Sequence, residues 1–87
     1  MQIPKLKVLV EAGAVRAVEV ACAPESAGWT VAITYASRHG ERREALERQR
    51  GGVRVFATLD AVARCLVGLG LTAFRVNVAG LPGEEPL

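Results

Sequence analysis

The sequence predicts a two-layer α+β domain, a largely antiparallel sheet of four to five strands with two helices on one face, in the order α-β-β-β-(β)-α-β. Three observations predict it. Two segments, Ile3–Val10 and Leu59–Leu69, carry apolar residues at helical spacing, and two others, Trp29–Tyr35 and Phe74–Val78, alternate with a period of two. Each of these segments has a single apolar surface. The helix stripes and the strand faces can bury each other only if the helices lie on one side of the sheet.

The first helix is expected to enter at Pro4, whose missing N–H costs nothing in a first turn, and to stop at Gly13. Ile3, Leu6, Leu9 and Val10 share a face, and a helix this short must dock on something to be stable. Val15–Ala23 follows as a strand with the alternating set Val18, Val20 and Cys22; Pro24–Gly28 has turn composition; and Trp29, Val31, Ile33 and Tyr35 then alternate with Thr30, Ala32, Thr34 and Ala36. The two runs make a β-hairpin.

Beyond the Ser37–Gly40 turn, the segment 41–50 admits two readings. Propensity favours a helix, with Glu44 and Arg48 as a pair four apart, but such a helix would have only Ala45 and Leu46 to bury. A strand satisfies its backbone on the neighbouring Trp29–Tyr35 run whatever its side chains. The extended reading of Arg42–Arg50 is preferred, continuing through Gly51-Gly52 as a bend into a short strand at Val53–Phe56. Thr58 then caps a second helix, with Asp60 in its first turn, and Leu59, Val62, Ala63, Leu66 and Leu69 on one face; Gly70 stops it and Leu71 packs back. The Val55 strand, this helix and the Phe74 strand are expected to form a crossover unit.

The chain's 87 residues fit one domain, expected over 1–80, with 81–87 as a flexible tail lacking periodicity. Hydrophobic residues make up 51% but aromatics only 5%, so the core is built of small side chains around Trp29, Tyr35, Phe56 and Phe74. No apolar run approaches the roughly 20 residues a membrane helix needs. Lys5 and Lys7 interrupt the first apolar stretch, leaving no secretory pattern. Cys22 and Cys65 are read as reduced, partly buried thiols, and the expected location is cytoplasmic.

Little in the sequence points to catalysis. His39, the one histidine, lies in a turn with no nucleophile or carboxylate nominated by spacing. Cys65 reads as core filler, and no cluster of His, Cys or carboxylates suggests a metal. No glycine-rich phosphate motif occurs, and no cofactor is expected. The local feature above background is an arginine cluster: Arg38, Arg42, Arg43, Arg48, Arg50 and Arg54, interleaved with Glu41, Glu44 and Glu47. Such a cluster either contacts nucleic-acid phosphates or forms a solvated hairpin that blocks edge-to-edge aggregation. The interleaved glutamates, and the absence of aromatics for base stacking, favour the second. The net charge of +2 is too small to imply a nucleic-acid partner by itself.

Several stretches resemble a known family. Met1–Lys7, Glu11–Arg16 and Gln49–Phe56, followed by Leu59-Asp60, Leu69-Gly70 and Phe74–Val76, are similar to the ParC-family partition-associated proteins, which are distinct from the topoisomerase subunit of that name. The resemblance implies a bacterial cytoplasmic accessory protein in plasmid or integrative-element maintenance, and it brings no site residues with it. A protein partner, or a second copy of the chain through a strand edge or the uncovered sheet face, is therefore the first expectation. Nucleic acid bound by the six arginines is the alternative.

Overall fold

The computed structural model describes residues 1–23, 28–81 and 83. Its elements follow the order α1 (Ile3–Glu11), β1 (Val15–Ala23), β2 (Gly28–Ser37), β3 (Gly40–Ala45), α2 (Leu59–Gly68) and β4 (Arg75–Asn77). The sheet order is β3-β2-β1-β4. β1–β2 and β2–β3 are antiparallel, and β4 lies parallel to β1.

Both helices end as their glycines predict. At α1, the Gly13 N–H donates to Val10 O and the Ala14 N–H to Leu9 O; at α2, Gly70 and Leu71 repeat the pattern onto Val67 O and Leu66 O. These bonds satisfy carbonyls that a helix end would leave free. The Thr58 hydroxyl accepts from Ala61 N at 3.1 Å, the cap expected of α2.

The register sorts side chains into two faces. Val18 lies opposite Ile33, Val20 opposite Val31 and Val76 beside Val20, all toward the helices. A bulge at Arg16, where Val15 pairs with Tyr35 but Ala17 with Thr34, lets odd-numbered Val15 share that face with Val18 and Val20. Leu6 of α1, Val62 and Leu66 of α2, Val20, Ile33 and Leu46 are fully buried there, closed at the sides by Met1, Tyr35 and Phe56. Each such Leu or Val contributes about 1.5–3 kcal/mol. The other face is made of Ala17, Ala21, Ala32, Ala36, Ala45, Thr30 and Thr34, with Glu19, Glu41, Arg43, Arg75 and Asn77.

The ambiguous segment is extended over Gly40–Ala45 and pairs with Ala32–Ser37. It does not stay extended to Arg50. Leu46 N–H donates to Val31 O at 2.8 Å; the chain then leaves the sheet and returns at Phe56, which exchanges two 2.8 Å backbone bonds with Trp29. The residues between form a small hairpin closed by a Glu47–Val53 bridge, with Arg48 N–H on Gly52 O and Gly51 N–H on Arg48 O, both at 2.9 Å. Gly51 and Gly52, at φ 91° and 80°, make its tip in a conformation that other residues rarely adopt. The fifth strand expected at Val53–Phe56 is thus two isolated bridges on the broken edge strand. Phe56, antiparallel to Trp29, runs in the same direction as β1 and β4, so α2 makes the expected crossover, from this edge of the sheet to β4 on the opposite edge rather than to a neighbouring strand. β1 has a free edge there, whereas the β2 edge is already occupied by β3 and Phe56. The turn expected at Pro24–Gly28 lies outside the described residues except for Gly28, and of the expected tail only Leu81 and Gly83 are described.

Gly28 is where the return of Phe56 requires a missing side chain. A Cβ there would sit 2.5 Å from Val55 Cγ1 and 2.6 Å from the Phe56 carbonyl oxygen. Gly28→Ala is therefore expected to destabilise by about 1–3 kcal/mol through overpacking against backbone. Gly68→Ala, inside α2 and meeting nothing within 4 Å, is expected to stabilise by about 0.5–1 kcal/mol. Urea unfolding of the two variants beside the parent checks both; a neutral Gly28→Ala would contradict the close approach.

Candidate interaction surfaces

The six clustered arginines do not form one patch. Arg38 lies in the exposed turn between β2 and β3. On β3, alternation separates neighbours: Arg42 is opposite Tyr35 on the helix side, and Arg43 is opposite Thr34 on the open face. Arg43 reaches across the small side chains of β2 to Glu19, 3.0 Å away on β1. Arg48, Arg50 and Arg54 belong to the hairpin that leaves the sheet. The Arg48 side chain folds back, Nε donating to Gly51 O at 3.3 Å, and the Arg54 guanidinium stacks 4.5 Å from the centre of the Phe56 ring.

Sequence reasoning missed the groups that organise this region. Lys5 Nζ, from α1, donates to Glu44 Oε2 at 2.9 Å and to the Tyr35 hydroxyl at 3.1 Å, lying 5.1 Å above the Tyr35 ring. The Tyr35 hydroxyl donates to the same Glu44 oxygen. The Met1 ammonium donates to the Ala45 carbonyl at 2.6 Å and meets Glu47 at 2.9 Å, and Glu47 N–H donates to Met1 O. Met1 thereby covers the outer edge where β3 ends. The hydrogen bonds from Lys5 first, and Tyr35 second, lower the Glu44 carboxyl from 4.5 to about 2. The same Glu44 bond, with Tyr35 next, raises Lys5 above its ordinary 10.5. Periodicity carries no signal for this network, because Lys5, Tyr35 and Glu44 are distant in sequence and meet only when α1 docks.

The residues weighed for chemistry lie apart. His39 is exposed, its backbone N–H on the Ser37 hydroxyl at 3.3 Å. Cys22 and Cys65 are free and half-buried. Among the described residues, no group of three His, Cys, Asp or Glu could hold a metal ion, and no helix is long and apolar enough to cross a membrane. An open depression of about 270 Å³ lies between the start of β1 and Gly70–Ala73, with Arg16 as its one charged residue. Arg16 is engaged with Gly13 O at 3.0 Å.

These features define a small α+β domain with helices on one face of a four-stranded mixed sheet, an opposite face on which no described element packs, and a charged edge. A family model described as ParC-like matches residues 1–82, and the chain belongs to the ParC-like family. No curated protein and no solved structure matches it.

The lowered Glu44 carboxyl sets an acid dependence. Its folded value lies below the unfolded one, so its contribution is complete above about pH 4.5 and fades as the pH falls toward about 2. The pair is partly solvated, Glu44 being 33% and Lys5 50% exposed, so the effect is modest. The parent's Tm is expected to fall across this window, and that of Glu44→Gln to fall less. Identical acid limbs in the two thermal series would remove Glu44 as the cause.

Proposed function

We propose that this ParC-like protein is a non-catalytic cytoplasmic accessory protein in plasmid or mobile-element maintenance, acting through protein–protein contacts, the first of them with a second copy of itself. The observation that carries the reading is the bare sheet face. No described element packs on it, and its centre rises no higher than Thr30 and Thr34 except for the Arg43–Glu19 bridge lying across it. Small side chains let two sheets approach at roughly 10 Å with few voids.

Glu41 on β3 and Arg75 on β4 stand at opposite margins, and neither has an ion-pair partner among the described residues. A two-fold axis along the strands lays β3 of one copy over β4 of the other.

Sedimentation at high micromolar concentration tests the self-contact. The parent is expected to dimerise. Thr34→Arg, which places two like charges at the centre of the paired faces, is expected to be monomeric with an unchanged circular dichroism spectrum. A strict monomer for the parent, or a dimer insensitive to Thr34→Arg, overturns the assignment.

A further inference from the structure

We infer that the helix-side margin of the broken edge strand, Arg42 with Arg48, Arg50 and Arg54, binds the phosphate backbone of duplex nucleic acid. This surface is separate from the sheet face assigned to self-contact, and neither claim needs the other.

The first support is placement. Arg42 and Leu46 share the helix side of β3 by alternation. In the small hairpin, Arg54 N–H bonds to Leu46 O and Arg48 N–H to Gly52 O, so Arg48 and Arg54 stand on the side of Leu46, with Arg50 in the turn. Arg48 confirms this by lying over Gly52, where an added Cβ would come within 2.8 Å of its guanidinium nitrogen. Arg38 and Arg43 drop out of the site, Arg38 to the far turn and Arg43 to its bond with Glu19.

The second support is the fate of the interleaved acids. Glu44 is held by Lys5, and Glu47 by the Met1 ammonium. Among the described residues no carboxylate pairs with Arg42, Arg48, Arg50 or Arg54. Two of the three glutamates that dilute the cluster in sequence are thus neutralised by other cations, and the third, Glu41, lies opposite Ala36 on the open face, away from the helix side.

The third support is order and chemistry. The carbonyl bond of Arg48 and the stacking of Arg54 on Phe56 fix two guanidiniums in advance, which lowers the entropy lost on binding. Planar guanidinium forks suit phosphate oxygens. Phe56 is buried, so the hairpin offers no aromatic face for unpaired bases, and recognition falls on the backbone without sequence reading. The exposed Val53 and Val55 alternate with Arg54 and face away from the arginine side, leaving that side without the apolar anchors of a protein interface.

The test is fluorescence anisotropy of a short random-sequence DNA duplex with the full chain across a salt series. The parent is expected to show a slope of log K on log salt of about −3 to −4, as four phosphate contacts require. Arg48→Gln/Arg50→Gln is expected to flatten the slope by about 2 and weaken low-salt binding by about tenfold or more. Arg38→Gln/Arg64→Gln, which removes the same charge elsewhere, is expected to match the parent, with circular dichroism confirming both folds. Absent low-salt binding by the parent, or equal losses in the two variants, overturns the proposal. Equally arginine-dependent binding to poly-glutamate overturns it in favour of an acidic protein.

Discussion

The arrangement of the charged edge depends on the burial of two side chains, Leu46 and Phe56. Both belong to the line of chain that runs along the outer side of β2, and both are held there by backbone bonds, Leu46 to Val31 and Phe56 to Trp29. Leu46 is fully buried and Phe56 nearly so. Truncating a leucine buried this completely costs about 2–5 kcal/mol, a large share of a small domain's stability. Val31 and Trp29 are two residues apart on β2, whereas Leu46 and Phe56 are ten apart in sequence. The residues between have no room on the sheet and must leave it. An outward hairpin with glycines at its tip is how the chain meets that constraint, and Gly28 clears the place where it returns.

That constraint also settles where charge accumulates. A strand places successive side chains on opposite faces, so the β3 charges divide between the open face and the helix side. On each side a carboxylate is claimed by a cation from elsewhere in the chain: Glu19 holds Arg43, and Lys5 holds Glu44. The hairpin beyond them keeps its arginines and loses its one acid, Glu47, to the Met1 ammonium. A chain of modest net charge acquires a basic margin in this way, without any basic run in its sequence. The other face has the reverse character. Its alanines and threonines are too small to form a second core and too apolar to be indifferent to a partner.

Local signals are decisive where one residue type sets one piece of backbone. Pro4, Gly13, Thr58 and Gly70 mark helix ends, and each acts through neighbours within a few residues; the alternation in Trp29–Tyr35 likewise reports a strand through its own side chains. In the segment after Gly40 no single local signal decides, because helix propensity and strand pairing disagree there. Pairing prevails over Gly40–Ala45, since a neighbouring strand supplies backbone partners that side chains of this composition could not replace by packing. Gln49 and Arg50 escape the extended reading because the burial of Leu46 and Phe56 turns the chain out before it reaches them.

The sequence by itself determined the α+β class, the order of the elements, both helix ends, the main hairpin and the identity of most core residues, because periodicity and caps are local properties. Only the tertiary structure decided that β4 joins β1, that the edge strand breaks at Leu46, and that Lys5 and Met1 take two of the three carboxylates interleaved among the arginines, Glu44 and Glu47. Those outcomes depend on which free edge remains when the sheet assembles and on which charges meet across it. Both are contacts between residues far apart in the chain, on which local patterning carries no information.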